Sequence, residues 1–297
     1  YPSIIRQTVR NDYPLLTCQE MGLRHLRIPI ADILNPEQNG RLQILREKGT
    51  SLTGICVTRN PLEAAEVLKE VSGKIDTFEL QVAKTDLPDM TSGIESDIEI
   101  AIAAIDPTER VPGKQHLRAR VGYPVSASTF DHPFDRTVIS IAAWEDPHEL
   151  GHLLEHPCSK AIDVSLDLID DDSENAARVA KAALLIACLP GARLFCQPYL
   201  DLDRTMDVAH GFLDTLCNPR PVVTVYRLLN TILFSRDEVW TLTSTDPLTI
   251  RSAEKELSLT SVPHPGTSCC LYDLIEGTSH SSAPEVDLHL SLLEISL

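Results

Sequence analysis

Residues 161–200, AIDVSLDLIDDDSENAARVAKAALLIACLPGARLFCQPYL, contain the pattern on which the fold prediction is based. The first apolar run predicts a strand over Ala161–Ile169, and the periodicity that follows predicts a helix over Ser173–Leu189. Pro190 and Gly191 end that helix, and a second strand is predicted over Ala192–Leu200. A strand, a helix and a further strand in this order are typical of a parallel sheet covered by helices.

The same alternation recurs about eight times between Ile4 and Phe234. It predicts an α/β fold, a (β/α)8 barrel of the TIM type, over residues 1–234. The predicted strands are Ile4–Thr8, Leu23–Ile30, Ser51–Thr58, Ile75–Ala83, Leu117–Val125, Thr137–Trp144, Ala161–Ile169 and Ala192–Leu200. Between the fourth and fifth of these, Ser96 and Glu99 have the spacing of a capping box, which predicts a helix over Ser96–Ile105.

The pattern changes after Phe234. Pro, Gly, Ser and His cluster between short segments that alternate apolar and polar residues, which is typical of strands and turns. The predicted strands are Val239–Thr243, Leu248–Arg251, Glu256–Thr260, Cys270–Leu274 and Val286–Ile295. Residues 235–297 are therefore predicted to form a small β-rich module after the barrel.

The composition excludes several classes of protein. The 26 Lys and Arg against 43 Asp and Glu give a formal net charge of −17, which opposes binding to nucleic acid and to anionic membranes. No apolar run approaches the roughly 20 residues that span a bilayer, so membrane insertion is not predicted. The eight cysteines include no CxxC pair, and the sequence leaves the compartment and the oligomeric state open.

A family resemblance lies in the segment Glu174–Phe234. There a helix ends at Leu189-Pro-Gly191, a strand follows, and then come Gly211-Phe-Leu-Asp214, Asn218-Pro-Arg-Pro221 and a last helix. This order resembles the end of the barrel in the large clan of retaining (β/α)8 glycoside hydrolases. Two further segments are similar to that clan's second and fourth strands, Gly22-Leu-Arg-His-Leu-Arg-Ile-Pro29 and Ile75-Asp-Thr-Phe-Glu-Leu80. The resemblance implies a protein that acts on or binds a carbohydrate, with a small-molecule or oligosaccharide ligand and no cofactor.

The resemblance also implies where catalytic carboxylates should stand. In that clan the acid/base ends strand four in an Asn-Glu pair and the nucleophile ends strand seven. When the sequence is aligned directly with this pattern, Val82 and Ala83 stand where the Asn-Glu pair is expected, and Leu166 stands where the nucleophile is expected. The usual catalysis would then be lost. A shift by one residue makes Asp167 the nucleophile, with Glu79 as a deeper acid. A degenerate barrel and an active enzyme with these displaced carboxylates both stay open.

Other polar residues in or near the predicted strands are candidates for binding a sugar. The candidates are Arg27, Arg59, Arg120, Gln197, Tyr199 and Asp201. Arg118 and the run Asp170–Asp172 lie in similar positions, although the acidic run is also expected to cap the helix that begins near Ser173. Aromatic residues make up only 5% of the chain, and Trp144 and Tyr199 are the ones well placed to stack on a sugar.

A metal motif supports a second class of function. His148-Glu149-Leu150-Gly151-His152 matches H-E-x-x-H, in which the two His bind zinc and the Glu activates water. Zinc is therefore the alternative cofactor, and a zinc metallopeptidase that uses Glu149 as base is the alternative enzyme. On a helix, however, Leu150, Leu153 and Leu154 would share one face and the two His the opposite face, toward solvent.

A third interpretation is a non-catalytic structural or interaction domain. The sequence begins at Tyr1 without Met, which fits a piece of a longer protein. Whether the chain is an enzyme stays open; if it is one, the resemblance favours a hydrolase of the glycosidase type.

Overall fold

The computed structural model describes residues 12–90, 94, 96–112, 117–127, 130, 132–156, 158–204, 207–234, 238–260, 269–280 and 290–296. The predicted first strand, Ile4–Thr8, lies outside the described residues.

A largely parallel sheet forms the body of the molecule and curves into a nearly closed barrel. Its strands are β1 (His25–Pro29), β2 (Ser51–Val57), β3 (Thr77–Ala83), β4 (Glu99–Arg110), β5 (Leu117–Val121), β6 (Tyr123–Pro124), β7 (Arg136–Ile141), β8 (Ala161–Asp167) and β9 (Arg193–Gln197). The main path runs β1-β2-β3-β4-β7-β8-β9, and every neighbouring pair along it is parallel. The predicted α/β barrel is therefore confirmed.

Helices cover the outer face of this sheet. They are α1 (Asp12–Glu20), α2 (Ile30–Leu34), α3 (Pro36–Glu47), α4 (Pro61–Val71), α5 (Leu87–Met90), α6 (Gly151–Glu155), α7 (Asp172–Ala187) and α8 (Pro221–Phe234), with a 3-10 turn at Pro147–Leu150 before α6. Asn60 and Asp171 cap α4 and α7 by accepting backbone N–H bonds, so the capping expected of the acidic run is confirmed. Of the described helices, none is long and apolar enough to cross a membrane.

The prediction of a helix over Ser96–Ile105 is wrong. Ser96 accepts a local bond from the Ile98 N–H at 3.0 Å, and the chain continues as the strand β4. β4 pairs with β3 on one side and with β7 on the other. These ladders satisfy the backbone along β4, and tertiary pairing therefore overrides a local capping signal.

The segment predicted as the fifth barrel strand, Leu117–Val125, takes a different role. β5 runs antiparallel to β4, and β6 pairs with β7. Residues 117–124 therefore enter the sheet between the carboxyl-terminal halves of β4 and β7. We call residues 117–124 the wedge. Gly122 makes the bend between its two strands with φ of +115°, a conformation that side chains disfavour.

The C-terminal residues form a separate antiparallel sheet. Its strands are β12 (Thr241–Thr245), β13 (Leu248–Arg251), β14 (Lys255–Thr260), β15 (Cys269–Asp273), β16 (Thr278–His280) and β17 (Ser291–Ser296), after a short hairpin of β10 (Leu202–Arg204) and β11 (Asp207–Ala209) near the barrel. The sheet order is β12-β13-β14-β17-β15-β16, and Ile250 and Leu257 belong to the same apolar core as α7 and α8. The predicted β-rich module is confirmed, whereas its boundary between residues 234 and 235 stays a prediction.

Candidate functional site

We call the opening of the barrel at the carboxyl ends of its strands the mouth. One acidic side chain at the end of β8, Asp167, faces it. Successive side chains of a strand point to opposite faces of a sheet. Leu166 is fully buried in the core that α7 covers, and Asp167 is half-buried at the end of the strand. Asp167 and Gln197 are register partners on β8 and β9, and the Gln197 side-chain amide donates to Asp167 Oδ1 at 2.7 Å. The two predicted residues are therefore in direct contact.

The Asp167 carboxyl lies in a protected electrostatic environment. Burial raises its pKa above the ordinary value. The Gln197 hydrogen bond and the charges of Arg118, Arg178 and Arg120 act in the opposite direction but are outweighed. A carboxyl group with a raised pKa at the carboxyl end of a barrel strand is a candidate for contact with a ligand.

Glu79 lies deeper in the barrel. Its side chain is 0% exposed, and Arg27 binds both of its oxygens, with Nε at 2.7 Å from Oε2. Arg27 Nη1 also donates to Ser165 Oγ at 2.9 Å, and the Gln81 amide donates to Glu79 Oε1 at 2.8 Å. Ser165 precedes Asp167 by two residues on β8, so both side chains lie on the same face of the strand. The cluster of Glu79, Arg27 and Ser165 therefore lies inside the barrel, below Asp167.

Arg120 of the wedge is held at the side of the mouth. It is buried and donates to both carboxylate oxygens of Glu145, at 2.6 and 2.9 Å, and to the Ser140 carbonyl oxygen at 2.8 Å. Glu145 also accepts a bond from the Ala142 N–H at 2.7 Å. This ion pair fixes the wedge to the turn that follows β7.

Three of the predicted binding residues make other contacts. The Arg59 side chain is 84% exposed, and its nearest carboxylate oxygen, on Asp86, is 3.8 Å away. The Tyr199 hydroxyl donates to the Pro14 carbonyl oxygen at 2.8 Å and so connects the segment after β9 to α1. Asp201 binds Arg220, whose Nε lies 2.8 Å from Oδ1. Their predicted roles in binding a sugar stay predictions.

Arg220 joins the loops that follow β8 and β9. It contacts Asp201 and also Asp172, with Nη1 3.0 Å from Asp172 Oδ2, while His210 Nδ1 lies 2.8 Å from Asp172 Oδ1. Arg220 belongs to the Asn218-Pro-Arg-Pro221 segment on which the family resemblance was based. These contacts give that segment a structural role, because they anchor the start of α8 to the start of α7.

The H-E-x-x-H motif is split between two helical elements. His148 lies in the 3-10 turn, whereas His152 lies in α6 and its side chain is 66% exposed. Leu150 and Leu153 are buried on the opposite side, in the facing expected from the sequence. Among the described residues, no group of three or more His, Cys, Asp or Glu side chains could hold a metal ion.

Several residues of the mouth were missed by the sequence analysis. Gln81 lies on the same face of β3 as Glu79, because the two residues are two positions apart. The two-residue period of a strand could have shown this. Glu145 directly follows the predicted sixth strand, so its place at the carboxyl end was also accessible. Arg178 gave no such signal, because it reaches the mouth from α7 and donates to the carbonyl oxygens of Ala142 and Asp167, both at 3.0 Å.

Comparison with known proteins gives a fold and no family. No protein-family model matches the chain, and no curated protein matches its sequence. A solved family 39 glycoside hydrolase from the gut symbiont Bacteroides cellulosilyticus WH2 superposes with a TM-score of 0.60 at 13% identity, over 97% of this chain and 77% of that one. The chain has the fold of a glycoside-hydrolase barrel.

Two further structures share this glycoside-hydrolase-like fold. A calcium-binding mutant of β-glucuronidase 2 from Bacteroides uniformis has a TM-score of 0.51 at 10% identity, over 95% of this chain and 42% of that one. A β-D-mannosidase from Dictyoglomus thermophilum has a TM-score of 0.50 at 9% identity, over 96% and 44%. This chain therefore spans less than half of either of these two proteins.

Proposed function

We propose that this chain binds a carbohydrate at the carboxyl end of its barrel, at a site built on Asp167 and Gln197, and that it does not perform retaining hydrolysis with Glu79 and Asp167. The complete burial of Glu79 against Arg27 carries the non-catalytic half of the proposal, and the contact between Asp167 and Gln197 at the carboxyl ends of β8 and β9 carries the binding half. The carboxylate and amide groups at the mouth are of the kind that bond sugar hydroxyls. The glycoside-hydrolase-like fold supports the same class of ligand.

Retaining hydrolysis needs two carboxyl groups about 5 Å apart, both able to reach the glycosidic bond. Arg27 engages both oxygens of Glu79, and no part of the Glu79 side chain is exposed, so a leaving-group oxygen has no approach to it. Ala83 stands nearer the mouth on the same face of β3, where it offers no ionisable group. From these two strands, Asp167 is thus the acidic side chain available at the mouth.

Calorimetry with the full chain tests the binding site. The ligands are neutral oligosaccharides built from glucose, mannose or xylose, and we expect at least one to bind. Asp167→Asn should weaken it about tenfold, because a hydrogen bond to a charged group contributes roughly 1.5–3 kcal/mol, and Gln197→Ala about threefold, because its hydrogen bond is neutral. Asp97→Asn is the matched control, because this exposed residue before the amino end of β4 undergoes the same change and should bind as the unmodified chain does. Failure of every sugar to bind would contradict the proposal.

A second measurement tests the absence of catalysis. Release of p-nitrophenol from p-nitrophenyl glycosides of the same three sugars should not exceed that of a blank without protein. Turnover that Glu79→Gln and Asp167→Asn abolish, and that Asp97→Asn retains, would overturn the non-catalytic half of the proposal and restore the two displaced carboxylates as catalytic residues.

A further inference from the structure

A cavity lies beside the wedge, and of the side chains described at the mouth it shares Arg120. It has a volume of about 270 Å³, and its lining includes Lys84, Ala104, Asp106, Arg120, Tyr123 and Pro124. Lys84 directly follows β3, and Asp106 lies on the part of β4 that pairs with β5. The cavity therefore exists because the wedge enters the sheet at this point.

The wall of the cavity is held in place before any ligand arrives. Arg120 is fixed by its two bonds to Glu145, at 2.6 and 2.9 Å. The Tyr123 ring packs edge-on against Phe130, with 5.2 Å between the ring centres, and stacks on His132 at 6.4 Å. A wall that does not have to be ordered on binding lowers the entropic cost of association.

Two polar groups in this wall are available to a ligand. Lys84 is exposed, and among the described residues none forms an ion pair with its ammonium group. The Tyr123 hydroxyl likewise has no hydrogen-bond partner within the described part of the chain. Burial raises the pKa of Tyr123, so the hydroxyl keeps its proton at neutral pH and can both donate and accept.

The charges of the cavity favour a neutral ligand. Asp106 and Arg120 are direct register partners on β4 and β5, and the Arg120 guanidinium is already bonded to Glu145. The lining therefore carries charges of both signs, among them the Lys84 ammonium group and the Asp106 carboxylate, and the net charge of −17 on the whole chain opposes the approach of an anion.

We infer that this cavity binds one neutral sugar ring. Lys84 and the Tyr123 hydroxyl can donate to sugar oxygens, the Asp106 carboxylate can accept from sugar hydroxyls, and Ala104 and Pro124 offer apolar contact to the C–H groups of the ring. The inference rests on the proposed carbohydrate function, to which it adds a second site.

Nuclear magnetic resonance of the full chain, with ¹³C-labelled alanine methyl groups, separates the two sites. Ala104 lines the cavity, whereas Ala83 reports the mouth. The probes are the methyl β-glycosides of glucose, mannose and xylose, with glucuronate as the anionic comparison. We expect at least one methyl glycoside to shift the Ala104 signal in a saturable manner, and glucuronate to bind more weakly.

Variants then test the assigned contacts. Lys84→Ala should weaken the binding seen at Ala104 about tenfold and Tyr123→Phe about threefold, the range for lost hydrogen bonds to a charged and to a neutral group. Lys69→Ala, which removes an exposed lysine from α4, is the control and should bind as the unmodified chain does. Asp167→Asn should leave the Ala104 response unchanged.

Each outcome decides between the two sites. An Ala104 signal that no methyl glycoside moves, while Ala83 responds, overturns the cavity and leaves the proposed function standing. An Ala104 response without one at Ala83 supports the cavity and contradicts the site at the mouth. An Ala104 response that survives both Lys84→Ala and Tyr123→Phe, or tighter binding of glucuronate than of every neutral glycoside, overturns the inference.

Discussion

Arg193 donates two parallel hydrogen bonds to the Asp163 carboxylate inside the barrel, from Nε at 2.7 Å and from Nη2 at 2.6 Å. Arg136 Nε donates to the same carboxylate at 2.8 Å. Burial acts to raise the pKa of Asp163, but the bonds and charges of Arg193 and Arg136 outweigh it and hold that pKa below its usual value.

Asp163→Asn should therefore lower the free energy of unfolding by about 3 kcal/mol, because it removes the buried counter-charge of two guanidinium groups and leaves them the half-exposed Glu99 carboxylate, 3.6 Å from each. Urea denaturation followed by tryptophan fluorescence measures the loss. Asp170→Asn, at an exposed position, should change the same quantity by less than about 0.5 kcal/mol. Equal effects of the two substitutions would show that the buried pair does not stabilise the barrel.

His25 makes stability depend on pH in mild acid. Burial, together with the charge of Arg193, lowers its pKa from 6.5 to about 4, and its Nδ1 is buried without a hydrogen-bond partner in the described part of the chain. Between those two values the unfolded chain binds more protons than the folded one. Stability should therefore fall as the pH drops through this window, by up to about 3 kcal/mol.

The substitution His25→Gln tests that dependence. It should flatten the fall in stability between the two pKa values, as measured by urea denaturation at a series of pH values. His152→Gln, which changes a side chain that is 66% exposed, should keep the full slope. An unchanged slope in His25→Gln would assign the acid sensitivity to other groups.

Asp167 should show the opposite dependence. Because its pKa is raised by burial above 3.8, the folded state holds the proton more tightly than the unfolded chain does. Its stabilising contribution is present below the unfolded value and is lost as the pH rises through the folded value. Asp167→Asn should therefore be more stable than the unmodified chain at about pH 7, and the difference should vanish at about pH 3, measured by chemical denaturation. Greater stability of the unmodified chain at neutral pH would contradict the raised pKa.

Gly122 should be required for the wedge to enter the sheet. A Cβ at this position, where φ is +115°, would lie 3.1 Å from both Ser140 Cβ and the Val138 carbonyl oxygen. Gly122→Ala should therefore lower the free energy of unfolding by about 2 kcal/mol, through backbone strain and contact with β7. Gly73→Ala is the matched control, since nothing lies within 4 Å of its added methyl group and its φ is not positive. Similar stabilities of the two variants would refute the requirement.

The zinc alternative has its own test. Elemental analysis of the purified chain after dialysis against zinc should find no stoichiometric metal, because His152 is exposed and His148 lies in a different helical element. The double variant His148→Ala and His152→Ala should match the unmodified chain in zinc content and in melting temperature. One zinc per chain, lost in the double variant, would establish the metal site that the motif predicts.

Local signals predicted local structure well in this protein. The acidic run Asp170–Asp172 predicted the start of a helix near Ser173, and the structure shows Asp171 capping α7 there. The same kind of signal failed at Ser96 and Glu99, where the capping pattern predicted a helix and β4 formed. The difference is that β4 has a neighbour on each side, and no residue near Ser96 contains information about β3 or β7.

The alternation of strands and helices, the change to a β-rich module after Phe234 and the acidic charge could be predicted from the amino-acid sequence, because each depends on neighbouring residues or on composition. The structure was needed to show that Asp167 faces the mouth while Leu166 faces the helices, since the strand period separates the two side chains but does not say which is inside. It also brought Arg27 to Glu79, 52 residues along the chain, and Gln197 to Asp167, 30 residues along. Such contacts arise from the register of strands that are distant in sequence, which local pattern does not encode.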